Sequence, residues 1–237
     1  MARYNRIGGR DRDELALPSQ KLMEAALSGD IECVTQCLMS GSGSVDVNYI
    51  GTVSLRVKCV ETVQREEEAD EAEFEYREFV TDVTPLFAAA HSGHVEIARK
   101  LLSAGADVNQ ELFRGFATTA AAREGHCVIL DMLLKAGASQ SACEDALLEA
   151  CLCGQHKAAE LLICSEMTGP DVTQHALVSA SCRGFIDVVN ALIKNGVDIN
   201  CMDRVLLRSV KPALHANVDC TPLVAAIVSR SLRDVLK

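Results

Sequence analysis

Residues 84–109 read TPLFAAAHSGHVEIARKLLSAGADVN, and this stretch decides the fold. It holds two short apolar runs of helical spacing, with Gly93 between them. Helices as short as these are not stable alone in water. Pro85 follows Thr84 at a helix start, where a missing N–H costs nothing. The stretch therefore predicts a pair of short helices that must pack against neighbours.

The same pattern recurs along the chain at a nearly constant interval. Taking the turn glycine as the marker, Gly125 follows Gly93 by 32 residues, Gly154 comes 29 later, and Gly184 comes 30 after that. Upstream, Gly29 also lies between two apolar runs, and a second TPL motif opens a further copy near the C-terminus. Units that bury their apolar faces only by stacking form an elongated solenoid.

The stretch 84–109 resembles a complete ankyrin repeat, because the family's TPLxxAA opening, GH turn, LL helix end and GADVN tail occur in order. The resemblance implies an all-α solenoid of stacked helix–turn–helix units with β-hairpin fingers. We predict a polar, disordered N-terminal tail over residues 1–18 and an ankyrin repeat domain over 19–237. The predicted units are 19–48, 82–109, 113–140, 143–166, 173–200 and an incomplete unit at 219–237.

Two insertions, 49–81 and 201–218, interrupt the repeats. In the first, residues 52–59 and 74–80 alternate between apolar and polar side chains as strands do, and a highly charged run joins them. We predict one enlarged β-hairpin finger at about 49–82, with an acidic tip. The second insertion is locally basic and also falls between two units.

The negative charge is concentrated in the enlarged finger. The 237 residues include 33 acidic and 23 basic side chains, a net charge of −10, of which −6 belongs to residues 49–82. This balance argues against a nucleic-acid or anionic-membrane binder. The finger is interpreted either as a solvated loop or as a docking arm for a basic partner surface. Metal binding by its glutamates is the least favoured reading, because no calcium-loop spacing is present.

The cysteines indicate a reducing compartment. Eleven is an odd number, their spacing shows no paired framework, and the N-terminus has no apolar signal run. No segment approaches the roughly 18 apolar residues of a membrane span, so we expect the cytoplasm, with the nucleus as the alternative. Cys151, Cys153 and His156 could supply metal ligands, but their spacing fits no zinc pattern. No metal or cofactor is predicted.

The family resemblance also implies where a partner binds. Ankyrin arrays typically use their concave face and finger tips, which here correspond to Phe87, His91 and Arg123 on helices, Asp107, Gln110, Glu111, Phe113 and Arg114 in a finger, and Glu67, Asp70 and Glu71 in the acidic arm. Phe113 and Arg114 look like an interface anchor. The alternative is that Phe116 takes the threonine position at a helix start and packs inward. His94 and His126 match the family's GH position and are predicted to form structural hydrogen bonds between units.

These observations predict a non-enzymatic scaffold or adaptor that binds a protein partner. No phosphate loop, nucleophile elbow or HExxH motif is present. The first alternative is a substrate-recruiting part of a larger enzyme, such as a ubiquitin ligase, and the second is a free-standing enzyme or metalloprotein. Because the chain ends inside the second helix of its sixth unit, before an LL or GADVN motif, we expect it to be a fragment of a longer array.

Overall fold

The fold is a row of helix pairs with β-hairpins between some of them. The computed structural model describes residues 11–39, 45–62, 72–207 and 216–227. The described helices are α1 (Asp11–Ser28), α2 (Ile31–Met39), α3 (Pro85–Ser92), α4 (Val95–Ser103), α5 (Ala117–Glu124), α6 (Cys127–Lys135), α7 (Gln140–Leu152), α8 (His156–Cys164), α9 (Pro170–Arg183) and α10 (Ile186–Lys194), followed by helical residues 222–227. The described strands are β1 (Gly51–Thr62), β2 (Ala72–Val83), β3 (Asp203–Leu207) and β4 (Ala216–Cys220).

The helices form two layers. The first helices of successive pairs pack on one another in chain order, from α1 through α3, α5 and α7 to α9. The second helices do the same, from α2 through α4, α6 and α8 to α10. Alanine and leucine side chains fill the space between the layers in one continuous core. The small alanine side chains let neighbouring helices approach closely. This arrangement confirms the predicted all-α repeat solenoid with hairpin fingers.

Helix α3 begins and ends as its sequence predicts. The side chain of Thr84 accepts a hydrogen bond from the backbone N–H of Phe87 at 3.2 Å, which satisfies one of the free donors at the helix start. Pro85 occupies the first turn. The helix ends at Gly93, whose φ of 80° is accessible to glycine without steric cost. Local sequence therefore fixes both ends of this short helix.

Side chains at the inter-helix turns connect each unit to the previous one. His94 Nε2 lies 3.2 Å from the carbonyl oxygen of Leu27, and His126 Nε2 lies 3.2 Å from that of His91. Gln155 takes the same place in the next unit, where its side-chain amide donates to a carbonyl of α5 at 3.1 Å. The predicted structural role of His94 and His126 is confirmed.

The enlarged finger is an antiparallel hairpin of β1 and β2, in register from Gly51 opposite Val83 to Thr62 opposite Ala72. Its strands extend beyond the predicted residues 52–59 and 74–80 at both ends. Val53 and Leu55 are buried, whereas the residues between and beside them are exposed, so the alternation marks the face that packs on the solenoid. The acidic tip lies outside the described residues.

Helix α1 overlaps the end of the predicted N-terminal tail. Helix α1 starts at Asp11 and continues through Pro18, whereas we expected the helical region to begin at residue 19. A proline within a helical pattern usually marks a boundary, because it lacks the N–H that bonds back along the helix. Here the helix continues across Pro18, so the proline does not end it.

The second insertion also contains a hairpin, which was not predicted. Strands β3 and β4 pair antiparallel from Asp203 opposite Cys220 to Leu207 opposite Ala216. Strand β3 packs against α9, and Cys201 and Cys220 are buried at the hairpin base. The strands are only five residues long each, so their alternation is too brief to stand out in the sequence.

Candidate functional site

A groove of about 410 Å³ lies between α5, α7 and the short finger that precedes α5. We call it the α5–α7 groove. Helix α5 and helix α7 form its floor and one wall, and the finger forms its rim. Its lining residues are Phe113, Arg114, Gly115, Thr119, Arg123, Asp145, Leu148, Glu149 and Leu152.

Helical spacing explains why four residues of α7 line the groove together. Asp145, Leu148, Glu149 and Leu152 follow one another at intervals of three, one and three residues, so they share one face of the helix. On α5, Thr119 and Arg123 are four residues apart and share a face in the same way. Sequence reasoning identified Arg123 but missed the α7 residues, although this spacing was a readable signal.

The finger exposes Phe113 at the rim. Leu112 and Gly115 exchange backbone hydrogen bonds of 3.2 and 3.0 Å, which closes a tight turn between them. Gly115 has a φ of +89°, a conformation that other residues adopt at a cost. Phe113 is 95% exposed at the turn, whereas Phe116 points inward and is buried at the start of α5. The interpretation that Phe116 packs inward at the helix start is therefore confirmed, whereas a contact between Phe113 and a partner stays a prediction.

Arg114 connects the finger to the enlarged hairpin. Its guanidinium carbon lies 4.0 Å from the centre of the Phe79 ring on β2. This distance allows a cation–π interaction, which attracts the positive charge to the face of the ring. Arg114 is half-buried and lines the groove. The interaction therefore fixes the position of one positive charge beside the groove.

Arg123 forms the charged floor of the groove. It is only 7% exposed, and its Nε donates to Glu149 Oε2 at 3.1 Å. Burial would lower the pKa of Arg123, but the hydrogen bond and the charge of Glu149 outweigh it, so its pKa is raised. Arg123 stays charged, and its charge is matched by a carboxylate within the groove.

Asp145 lies in a negatively charged part of the groove. It is exposed, and its pKa is raised by partial burial and then by the negative charges of Glu111, Glu149 and Glu144. Within the described part of the chain, no cationic side chain forms an ion pair with Asp145. This side of the groove therefore has excess negative charge.

Phe87 is not available to a partner, so its predicted contact role is wrong. It is 1% exposed and belongs to the core between the helix layers. The family resemblance assigned Phe87 to the concave face. Alanines follow it on α3, and its large apolar ring fills the interior space that their short side chains leave. The burial of Phe87 stabilises the fold and presents no surface.

His91 is covered by the enlarged hairpin. Its Nε2 lies 3.1 Å from the carbonyl oxygen of Arg56 on β1, and its Nδ1 lies 3.8 Å from Glu124 Oε1. Burial lowers the pKa of His91, although the nearby Glu124 charge opposes this shift. His91 therefore helps to hold the hairpin against α3 and is largely hidden from solvent.

Replacing His91 with glutamine should weaken the acid sensitivity of the fold. The unfolded chain takes up a proton at this histidine below about pH 6.5, whereas the folded protein resists that proton. Folding stability is therefore lost as the pH falls through this range. Urea unfolding from about pH 7.5 to about pH 5.5 should show a smaller loss of unfolding free energy in His91→Gln than in the parent. Parallel losses in the two proteins would contradict this assignment.

The other predicted contact residues are distributed along the finger. Asp107 is exposed, and its carboxylate accepts from the backbone N–H of Asn109 at 2.8 Å. Gln110 is half-buried and donates to the carbonyl of Glu111 at 3.4 Å, while Glu111 is exposed. The structure therefore brings Phe113, Arg114 and Arg123 into one groove with Glu111 nearby. The acidic-arm residues Glu67, Asp70 and Glu71 lie outside the described residues.

The cysteines considered as metal ligands are buried and protonated. Burial raises the pKa of Cys151 to about 12 and, together with Glu149, raises that of Cys153 to about 11. A thiol must lose its proton to act as a ligand or nucleophile. Among the residues with described positions, no three histidine, cysteine or acidic side chains converge on a metal site. Cys151 and Cys153 therefore act as small apolar side chains of the core.

A second cavity, of about 580 Å³, lies at the ends of α6 and α8, on the side of the second helices. Leu134, Leu161 and Met167 give it an apolar lining. It contains none of the predicted contact residues.

None of the helices in the described ranges is long and apolar enough to cross a membrane.

A stack of helix pairs with hairpin fingers between them is the architecture of a helical repeat protein. The family model described as ankyrin repeats (3 copies) matches residues 19–142 and residues 118–203. The chain therefore belongs to the ankyrin repeat family, whose members generally mediate protein–protein interaction and are typically non-enzymatic. A comparison with curated proteins found no match.

Proposed function

We propose that this protein is a non-enzymatic scaffold or adaptor that binds a protein partner through the α5–α7 groove and the finger beside it. The observation that carries the proposal is Phe113, a large apolar side chain that is 95% exposed at the groove rim. Aromatic side chains are enriched in protein interfaces, where they bury a large area with few rotatable bonds. Two backbone hydrogen bonds close the turn that carries the ring, so the backbone there needs little ordering on binding.

The proposed contact surface combines the finger with the groove. Asp107, Gln110, Glu111 and Arg114 would contact the partner around Phe113, and Arg123 would form the floor. The acidic arm, with Glu67, Asp70 and Glu71, stays a proposed second contact with a basic partner surface. Phe87 is no longer part of this surface because it is buried.

We also place the protein in a reducing compartment, the cytoplasm or the nucleus. The ten cysteines whose positions are described are all free thiols, and several belong to the core. Free buried thiols are typical of proteins that fold in reducing surroundings.

A photo-crosslinking experiment tests the proposed surface. p-Benzoylphenylalanine in place of Phe113 keeps an aromatic ring at the rim, because this position is open to solvent. After irradiation in native lysate, we expect a small set of discrete protein adducts at this position. Mass spectrometry of the adducts would identify the partner and the bound segment.

The control places the same crosslinker at Val128, which is 60% exposed on α6 in the layer of second helices. This position tests for nonspecific capture by an exposed apolar group. Adducts that are specific to position 113 support the proposal. The proposal fails if the two positions yield the same proteins in the same amounts, or if position 113 yields none.

A further inference from the structure

The lining of the α5–α7 groove holds two arginines and two carboxylates, but the part of the groove around Asp145 is negatively charged. Arg123 is hydrogen-bonded to Glu149, and Arg114 is stacked on the Phe79 ring. Neither arginine forms an ion pair with Asp145, whose exposed carboxylate is instead surrounded by the negative charges of Glu111, Glu149 and Glu144. An approaching cation therefore gains attraction there, whereas an approaching anion is repelled.

The apolar lining of the groove suits a long side chain. Phe113 stands at the rim, and Leu148 and Leu152 line the interior beside the charged groups. Lysine and arginine have an aliphatic stem that packs on such surfaces while the charged head reaches a carboxylate. The exposed ring of Phe113 also attracts a cation placed over its face. The apolar lining and the negative charge around Asp145 therefore favour the same type of side chain.

We propose that the α5–α7 groove receives a lysine or arginine side chain from an extended basic segment of the partner, with its charged head at Asp145 and its stem against Phe113 and Leu148. This inference rests on the proposed function, because it identifies the partner chemistry of the same surface. The partner segment is a protein segment with a basic residue next to apolar ones. Asp145 is the residue that determines this specificity.

Nuclear magnetic resonance titration of the full chain provides the test. The probe is the capped tripeptide leucine–arginine–leucine, and its control replaces arginine with citrulline, which has nearly the same shape but no charge. We expect saturable shifts of backbone signals in the finger and in α7 with the arginine peptide. The citrulline peptide should bind more weakly, and a lysine peptide should bind at the same place.

Two variants with the same change in net charge make the test specific. Asp145→Asn should weaken binding of the arginine peptide by about threefold to fivefold, as expected for one exposed ion pair. Asp187→Asn removes an exposed carboxylate from α10, in the layer of second helices, and should leave the affinity unchanged. The inference is overturned if citrulline binds equally well, if the shifts spread over the acidic surface, if both variants weaken binding equally, or if no saturable binding occurs.

The outcomes separate this inference from the proposed function. Partner adducts at position 113 without binding of the arginine peptide would overturn only the lysine or arginine site. Binding of the peptide at Asp145 without any adduct at position 113 would support the cation site and overturn the proposed scaffold surface.

Discussion

Phe87→Ala is expected to lower the free energy of unfolding by about 3–5 kcal/mol. The ring is 1% exposed and lies in the core of the solenoid, so its removal forfeits apolar burial and leaves a cavity. The surrounding residues include many alanines, whose short side chains cannot extend to fill the space. Urea denaturation followed by circular dichroism should show the loss, and the unfolding midpoint should fall accordingly.

Phe113→Ala is the matched control for this prediction. It makes the same chemical change on a ring that is 95% exposed, so the free energy of unfolding should change by less than about 0.5 kcal/mol. The pair also separates the two predicted contact phenylalanines by function, since only the Phe113 variant should lose partner adducts while remaining folded. Equal destabilisation by the two variants would contradict the assignment of Phe87 to the core.

The helix pairs were predictable because their signals are local. A threonine and a proline start α3, and glycines at similar intervals end the first helix of several units. Each of these residues favours a particular backbone conformation at its own position, independently of the rest of the fold. The alternation in the enlarged hairpin was readable for a related reason, because Val53 and Leu55 must face the solenoid while their neighbours face solvent.

The groove was only partly predictable because it depends on how units pack. Whether a residue on a first helix faces the groove or the core depends on the rotation of that helix against its neighbours. Arg123 and Phe87 both seemed to be contact residues, yet one lines the groove and the other fills the interior. Likewise, the stacking of Arg114 on Phe79 joins residues far apart in the sequence, and no short motif encodes it.

Stacking also uses the turn glycines for a purpose beyond chain reversal. A side chain from the next unit packs against four of these glycines, Gly29, Gly93, Gly125 and Gly154. At each one, the nearest atom of that side chain lies within about 3 Å of the position that an added Cβ atom would take. The partners are histidine, glutamine or phenylalanine at the same place in each unit. Each of these glycines therefore has two roles. It adopts the left-handed backbone conformation that the turn requires, and its lack of a side chain leaves room for a residue of the next unit.

Gly93→Ala should consequently destabilise the fold by about 2–5 kcal/mol, which combines backbone strain with overpacking. Gly93 has a φ of +80°, and an added Cβ would lie 2.7 Å from Cε1 of His126. The histidine ring would have to move, which would disturb its hydrogen bond to the carbonyl of His91. Equilibrium unfolding in urea measures the loss of unfolding free energy. A loss no larger than that of Gly137→Ala would contradict the contribution from the clash with His126.

Gly137→Ala is the control, because Gly137 has a φ of +93° but no described atom within 4 Å of an added Cβ. It should cost only the conformational strain, about 1–2 kcal/mol. The double variant Gly93→Ala with His126→Ala then isolates the contact between units. Removing the ring removes the clash, so the double variant should lose less stability than the sum of its single variants. Simple additivity would mean that the turn glycine acts through backbone conformation alone, and that stacking does not select glycine at this position.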